Sequence, residues 1–163
     1  MTDKNITIRK AVEADYQSVN FLYHETYTLY HKNMPDQYKE MPKTTLPKGT
    51  FLNIIEDKKE LMIVAELNKE VVGVLYALTE KDDGDDWAQS YHRVSVEEIS
   101  VSPKHFNKEI GTELMQATEN WAKEQGISDI TALVYAFNDN AINFYQKNNF
   151  VPYSIKMNKK IKK

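Results

Sequence analysis

The chain has 163 residues, of which 41% are hydrophobic and 28% charged, with a formal net charge of −3. That size and balance suit one domain with one core and exclude a disordered chain. The acidic balance argues against general nucleic-acid binding, which needs a basic face, and the lack of cysteine excludes disulfides, thiolate nucleophiles and cysteine-held metals.

"MTDKNITIRK" carries no apolar signal core, and the longest apolar run, "VVGVLYAL", is too short to cross a bilayer. A soluble, cytoplasmic protein is expected. "NITIRKA" alternates and predicts a first strand. From about Glu13 to Lys32, Tyr16, Val19, Tyr23, Tyr27 and Tyr30 recur at helical steps. The proline-rich "NMPDQYKEMPKTTLP" predicts a loop, and "GTFLNIIEDK" a short helix. "ELMIVAEL" and "EVVGVLYALTE", joined by "NK", predict a hairpin, followed by the acidic turn "KDDGDDWAQS" and a long strand, "HRVSVEEISV".

Residues 109–125 predict an amphipathic helix, with Ile110, Leu114, Ala117 and Trp121 on one face and Gly126 ending it. "DITALVYAF" predicts a strand buried on both faces. "NDNAINFYQKNN" predicts a helix capped by Asn138, and "FVPYSIKMNKKI" a final strand. The strand–helix–strand unit implies a parallel pair and the hairpin an antiparallel one. The fold class is therefore mixed α/β with a mixed sheet.

Three features bear on chemistry. The loop "SPKHFNKEIG" runs from a strand into a helix N-terminus, where backbone N–H groups and the helix dipole hold anions; Lys104 and Lys108 could add charge there. Its single glycine, Gly111, also suits a plain solvated loop. In "NDNAINFYQKNNF", Ala141, Phe144 and Tyr145 follow the Asn138 cap, a spacing that also suits plain core. Glu97 and Glu98 are adjacent in a strand and should face opposite sides, so that one of them points to a partly covered face and can act as a general base. The four histidines show no metal-ligand spacing, and no metal is expected.

Together, "EEISVSPKHFNKEIGTELM" and "NDNAINFYQKNNF" resemble the GNAT superfamily of acetyl-CoA-dependent N-acetyltransferases, with the whole chain, 1–163, as a single domain. The family loop reads Arg or Gln, two residues, Gly, any residue, Gly or Ala; here Phe106, Glu109 and Gly111 stand at those places, and only the last is kept. The later motif keeps Asn138, Ala141, Tyr145, Lys147 and Phe150, with Asn149 where glycine is usual.

The resemblance implies a mostly antiparallel twisted sheet, helices on both faces, and a splay between strands 4 and 5 where pantetheine lies. It implies acetyl-CoA contacts from Ile99, Ser100 and Val101, from Phe106, Asn107, Lys108, Glu109, Ile110, Gly111 and Thr112 around the pyrophosphate, and from Asn138, Ala141 and Tyr145. It implies Glu97, or second Glu98, as base, and Tyr145 as the proton donor to the leaving thiolate. The expected partners are acetyl-CoA and an amine acceptor, with no nucleic acid and no membrane; a homodimer is left open. Acids of "EKDDGDDW" could attract a cationic acceptor or simply form a solvated turn. The alternative is a weak or inactive GNAT-like domain that binds CoA or a protein partner.

Overall fold

The computed structural model describes residues 6–106 and 109–161. The chain divides into two compact units, one ending at Leu133 and one starting at Val134.

The first unit holds β1 (Ile6–Lys10), α1 (Tyr16–Asn33), α2 (Lys48–Glu56), β2 (Glu60–Leu67), β3 (Glu70–Asp82), β4 (Tyr91–Val101), α3 (Ile110–Glu124) and β5 (Asp129–Ala132). The strands form one sheet in the order β1-β2-β3-β4-β5. The first three pairings are antiparallel and β4–β5 is parallel, so the sheet is mixed and mostly antiparallel. Asn68 and Lys69 both take positive φ, 53° and 68°, as a two-residue hairpin turn requires.

Helices cover both faces. Val19, Leu22 and Tyr23 of α1 and Phe51 and Ile54 of α2 pack with Met62, Val64 and Val74 of the sheet. Apolar residues at helical spacing force this burial, and the hydrophobic effect drives it. On the opposite face α3 buries Ile110, Leu114, Met115, Thr118, Trp121 and Ala122. Gly73 allows its close approach: an added Cβ would lie 3.1 Å from Ile110 and 3.2 Å from Leu114. Arg9 of β1 fixes the entry to α1, donating to both Asp15 oxygens at 2.7 and 2.9 Å and to Glu66 at 2.8 Å. Gly126 at φ 71° follows the end of α3.

The second unit contains α4 (Asp139–Lys147). Two expectations are corrected. The strand expected over "DITALVYAF" is only the four residues of β5, its side chains are not fully buried, and Leu133 is 79% exposed. No residue of 150–161 lies in a strand; Val151, Tyr153, Ile155 and Met157 are all exposed. Alternation marks a face that needs cover but supplies no ladder partner, and Pro152 has no N–H to give one.

Candidate active site

The site begins with an irregularity in β4. Tyr76 of β3 faces Glu98, but the next residue, Ala77, faces Val96, so Glu97 is an extra residue on β4. This is a β-bulge. Side chains directly opposite across a ladder share a face, and successive side chains alternate. Val96 therefore points with Ala77 toward α3, while Glu98 points with Tyr76 toward α1 and α2. Strict alternation would have placed 96 and 98 on the same side. The bulge also overturns the expectation that Glu97 and Glu98 face apart: both line one cavity of about 400 Å³.

That cavity lies within the first unit. Tyr23 and Tyr27 of α1 form one wall, and Leu46, Thr50, Asn53 and Ile54 another. Asp57, Glu60 and Tyr76 complete it beside the two glutamates. Glu98 is 6% exposed. Burial pushes its carboxyl up to about 7, and a hydrogen bond from the Thr26 hydroxyl only partly opposes this. Glu97 is exposed, and its Oε1 accepts from the Ser95 hydroxyl at 2.6 Å. The Tyr23 hydroxyl is buried with no hydrogen-bond partner. Burial, and next the Glu98 charge, raise its pKa. The Tyr76 hydroxyl donates to Glu60 Oε2 at 3.2 Å.

Beyond the bulge β4 loses its parallel neighbour: the last pair is Val96 with Ala132, while β4 runs on to Val101. The Ser102 N–H donates to the Val72 carbonyl at 2.8 Å. In an antiparallel ladder, hydrogen-bonded and non-hydrogen-bonded pairs alternate. With 72 and 102 bonded, Val74–Ser100 and Tyr76–Glu98 are bonded pairs, and Leu75–Ile99 and Gly73–Val101 are not. The main-chain groups of Ile99 and Val101 thus point away from β3, toward the side where β5 has stopped. Ser100 is differently placed: its main chain faces β3 and its hydroxyl donates to the Leu22 carbonyl at 3.2 Å.

At the start of α3, Glu109 adopts φ 61°, ψ 4°. This is the left-handed region, and it lies where the family loop has glycine. The carbonyl of Glu109 accepts from the Glu113 N–H at 3.0 Å. The N–H groups of Ile110, Gly111 and Thr112 belong to the first turn, which has no intrahelical acceptors. Phe106 is exposed, and its N–H already reaches the Pro103 carbonyl at 3.4 Å. Asn107 and Lys108 lie outside the described residues.

In the second unit, the Asn138 side chain caps α4 by accepting from the Ala141 N–H at 3.1 Å. The Tyr145 ring packs on Phe144 and Phe150, at 5.2 and 5.1 Å between centroids. Asn149 takes φ 65°, as the glycine usual there would. Asn138, Ala141 and Tyr145 are thus gathered on one short helix.

The acidic turn after β3 does not line the cavity. Four of its five acids are engaged locally: Glu80 with Arg93, Asp83 with Lys81, Asp82 with the Gly84 N–H, and Asp85 with the N–H groups of Trp87 and Ala88. The acids that do face the cavity near α2, Asp57 and Glu60, were missed in the sequence. Their only signal is their place at a helix-to-strand junction beside an apolar strand. Among the described residues, no group of three or more His, Asp or Glu could hold a metal.

The family model "Acetyltransferase (GNAT) family" matches residues 23–150. The chain belongs to the GNAT acetyltransferase family. Solved structures share its fold over nearly its whole length. A mutant of the BH1408 protein from Bacillus halodurans superposes with a TM-score of 0.90 at 20% identity, over 95% of this chain and 99% of that one. An aminoglycoside acetyltransferase from an uncultured soil metagenomic sample, solved with trehalose, gives 0.70 at 17% identity, over 99% and 100%. The aminoglycoside N-acetyltransferase AAC(6')-Iy, solved with CoA, gives 0.70 at 16% identity, over 97% and 95%. No curated protein sequence matches this GNAT chain.

Proposed function

We propose that the chain transfers an acetyl group from acetyl-CoA to a primary amine bound in the cavity between α1, α2 and the sheet, with 1–163 acting as one domain. The observation that carries this reading is Glu98. It is a buried carboxylate with a pKa raised to about 7, at the point where β4 loses β5. A base poised near the working pH is what amine acylation needs.

Acetyl-CoA supplies an activated thioester. The outward main-chain groups of Ile99 and Val101 suit the amides of pantetheine, which would add to β4 as an extra strand does. The first-turn N–H groups of Ile110, Gly111 and Thr112, with the N–H of Glu109, suit the pyrophosphate. Asn138 and Ala141 contribute to the pantetheine arm. CoA bound to the structural relative AAC(6')-Iy supports this cosubstrate.

A free alkyl ammonium has a pKa of about 10.4, so little neutral amine exists at pH 7. Glu97, more exposed, holds the arriving ammonium while Glu98 takes one proton from it; the freed nitrogen lone pair bonds to the acetyl carbon, and the second nitrogen proton passes to water. The C–S bond then breaks, and Tyr145 gives its hydroxyl proton to the departing sulfur. We place Glu98 before Glu97 as base because burial has raised Glu98 into the useful range.

The test is a thermal unfolding scan with acetyl-CoA, followed by thiol release on adding amines. At 100 times Kd the ligand adds about 2.7 kcal/mol, a rise of several degrees for a domain of this size. Amine-dependent release is expected as well. No shift at millimolar acetyl-CoA and no release would overturn the reading.

A further inference from the structure

The two glutamates are not the only acids on the cavity. Asp57 and Glu60 stand on its α2 side, and Tyr76 lies between the two pairs. Among the described residues, none of these four carboxylates has a cation partner; the ion pairs formed lie elsewhere. Asp57 Oδ1 accepts only from the Lys59 N–H, at 2.7 Å, and Glu60 Oε2 from the Tyr76 hydroxyl. Each keeps a second oxygen for a ligand.

An acidic cluster alone shows no ligand. The second observation is Tyr23. Tyr23 lines the cavity, the residue is 6% exposed, and its buried hydroxyl oxygen has no hydrogen-bond partner. A buried polar group left unmatched is costly, and the cost disappears when a bound donor or acceptor meets it. Tyr23 also stacks on Tyr27, with centroids 6.4 Å apart and planes 9° apart. Parallel rings beside carboxylates favour cations and the methylene chains that carry them.

The ladder fixes the spacing. Glu98 faces Tyr76, Tyr76 faces Met62, and Glu60 lies two residues from Met62 along β2. Two strand spacings and one two-residue step put the Glu98 and Glu60 Cα atoms about 12 Å apart, on one face. We propose that the acceptor is a flexible aliphatic diamine or polyamine: its reacting nitrogen sits at Glu97 and Glu98, its alkyl spacer crosses the tyrosine rings, and its second ammonium is held by Asp57 and Glu60. This rests on the reading of the cavity as the acceptor site.

The test compares putrescine with n-butylamine, which has the same chain with one ammonium replaced by methyl. Binding is followed by calorimetry on the full chain without acetyl-CoA, so that it reads the cavity alone, whereas thiol release reads the reaction. Putrescine should bind about tenfold tighter than butylamine, and the margin should shrink with added salt. In the isosteric double variant Asp57→Asn/Glu60→Gln the two amines should bind alike. Equal binding of both amines to the parent chain would overturn the proposal, as would a preference that survives in the double variant. Tighter binding of the ring-borne polyamine sisomicin than of putrescine would overturn the flexible spacer. Thiol release with butylamine but no putrescine preference would leave the acetyltransferase reading standing and the diamine reading refuted.

Discussion

Replacing Glu98 with glutamine tests the electrostatics of the site without any substrate. The folded-state pKa of Glu98 is raised from the usual 4.5 to about 7, chiefly by burial. Between those values the folded chain holds a proton that the unfolded chain has released. The stability associated with that proton is fully present below pH 4.5, falls as pH rises, and is gone above about pH 7. The rise from 4.5 to about 7, at about 1.4 kcal/mol per unit, corresponds to about 3 kcal/mol. Glutamine is neutral at every pH and similar in shape. Relative to the parent chain, Glu98→Gln should therefore gain about 3 kcal/mol between pH 4.5 and pH 8, or about 6–12 °C in Tm. Every other ionisable group is common to both chains, so its effect cancels in the difference. Paired thermal melts across this range measure it. Melting curves that stay parallel from pH 4.5 to 8 would refute the claim that Glu98 is a desolvated acid. The same variant should lose the rising limb, near pH 7, of kcat/KM for the amine.

Two further predictions bear on the cosubstrate. A non-glycine residue in the left-handed region costs about 1–2 kcal/mol, and glycine gives back about 0.5–1 of that through the entropy of the unfolded chain. Glu109→Gly should thus leave the free protein equal or up to about 1.5 kcal/mol more stable, while tightening acetyl-CoA binding by removing a Cβ and a negative charge; calorimetric titration showing unchanged or weaker affinity would contradict this. Tyr145→Phe keeps the ring contacts with Phe144 and Phe150 but deletes the proposed proton donor, so kcat should fall by about 10²–10⁴-fold with little change in KM for acetyl-CoA; steady-state kinetics at saturating amine give the answer, and a full kcat would remove Tyr145 from the reaction.

The parts of this molecule that were legible in its sequence are those governed by local periodicity. The 3.6-residue stripe of α3 ended where Gly126 takes its positive φ, and the Asn138 cap bonds the Ala141 N–H as that residue type predicts. The "NK" turn between two apolar runs gave the β2–β3 hairpin. The last strand failed for a complementary reason: alternation in "FVPYSIKMNKKI" is a property of side chains, while a strand exists only with a ladder partner. The cavity was half legible. Glu97 and Glu98 stand out as paired acids on a strand, but Tyr23 reads as one more member of a helical stripe, and Asp57 and Glu60 read as solvated charges. What unites them is long-range pairing of β2, β3 and β4, which no short window contains.

The bulge at Glu97 ties these features together. With strict alternation from Val94 and Val96, residue 98 would point toward α3 and put a carboxylate into an apolar layer with no hydrogen-bond partner, at a cost of several kcal/mol. The extra residue turns Glu98 to the α1 side, where Thr26 and the cavity meet it. It falls at the residue after Val96, the last to pair with β5. The shift that aims the acid is therefore adjacent to the place where the outward main chain of Ile99 and Val101 is left without a neighbouring strand. A base needs its target nearby, and a strand-like cosubstrate needs an open edge. The inserted residue in β4 aims the acid and the end of β5 beside it leaves the edge open, so the proposed site lies at the irregular part of the sheet.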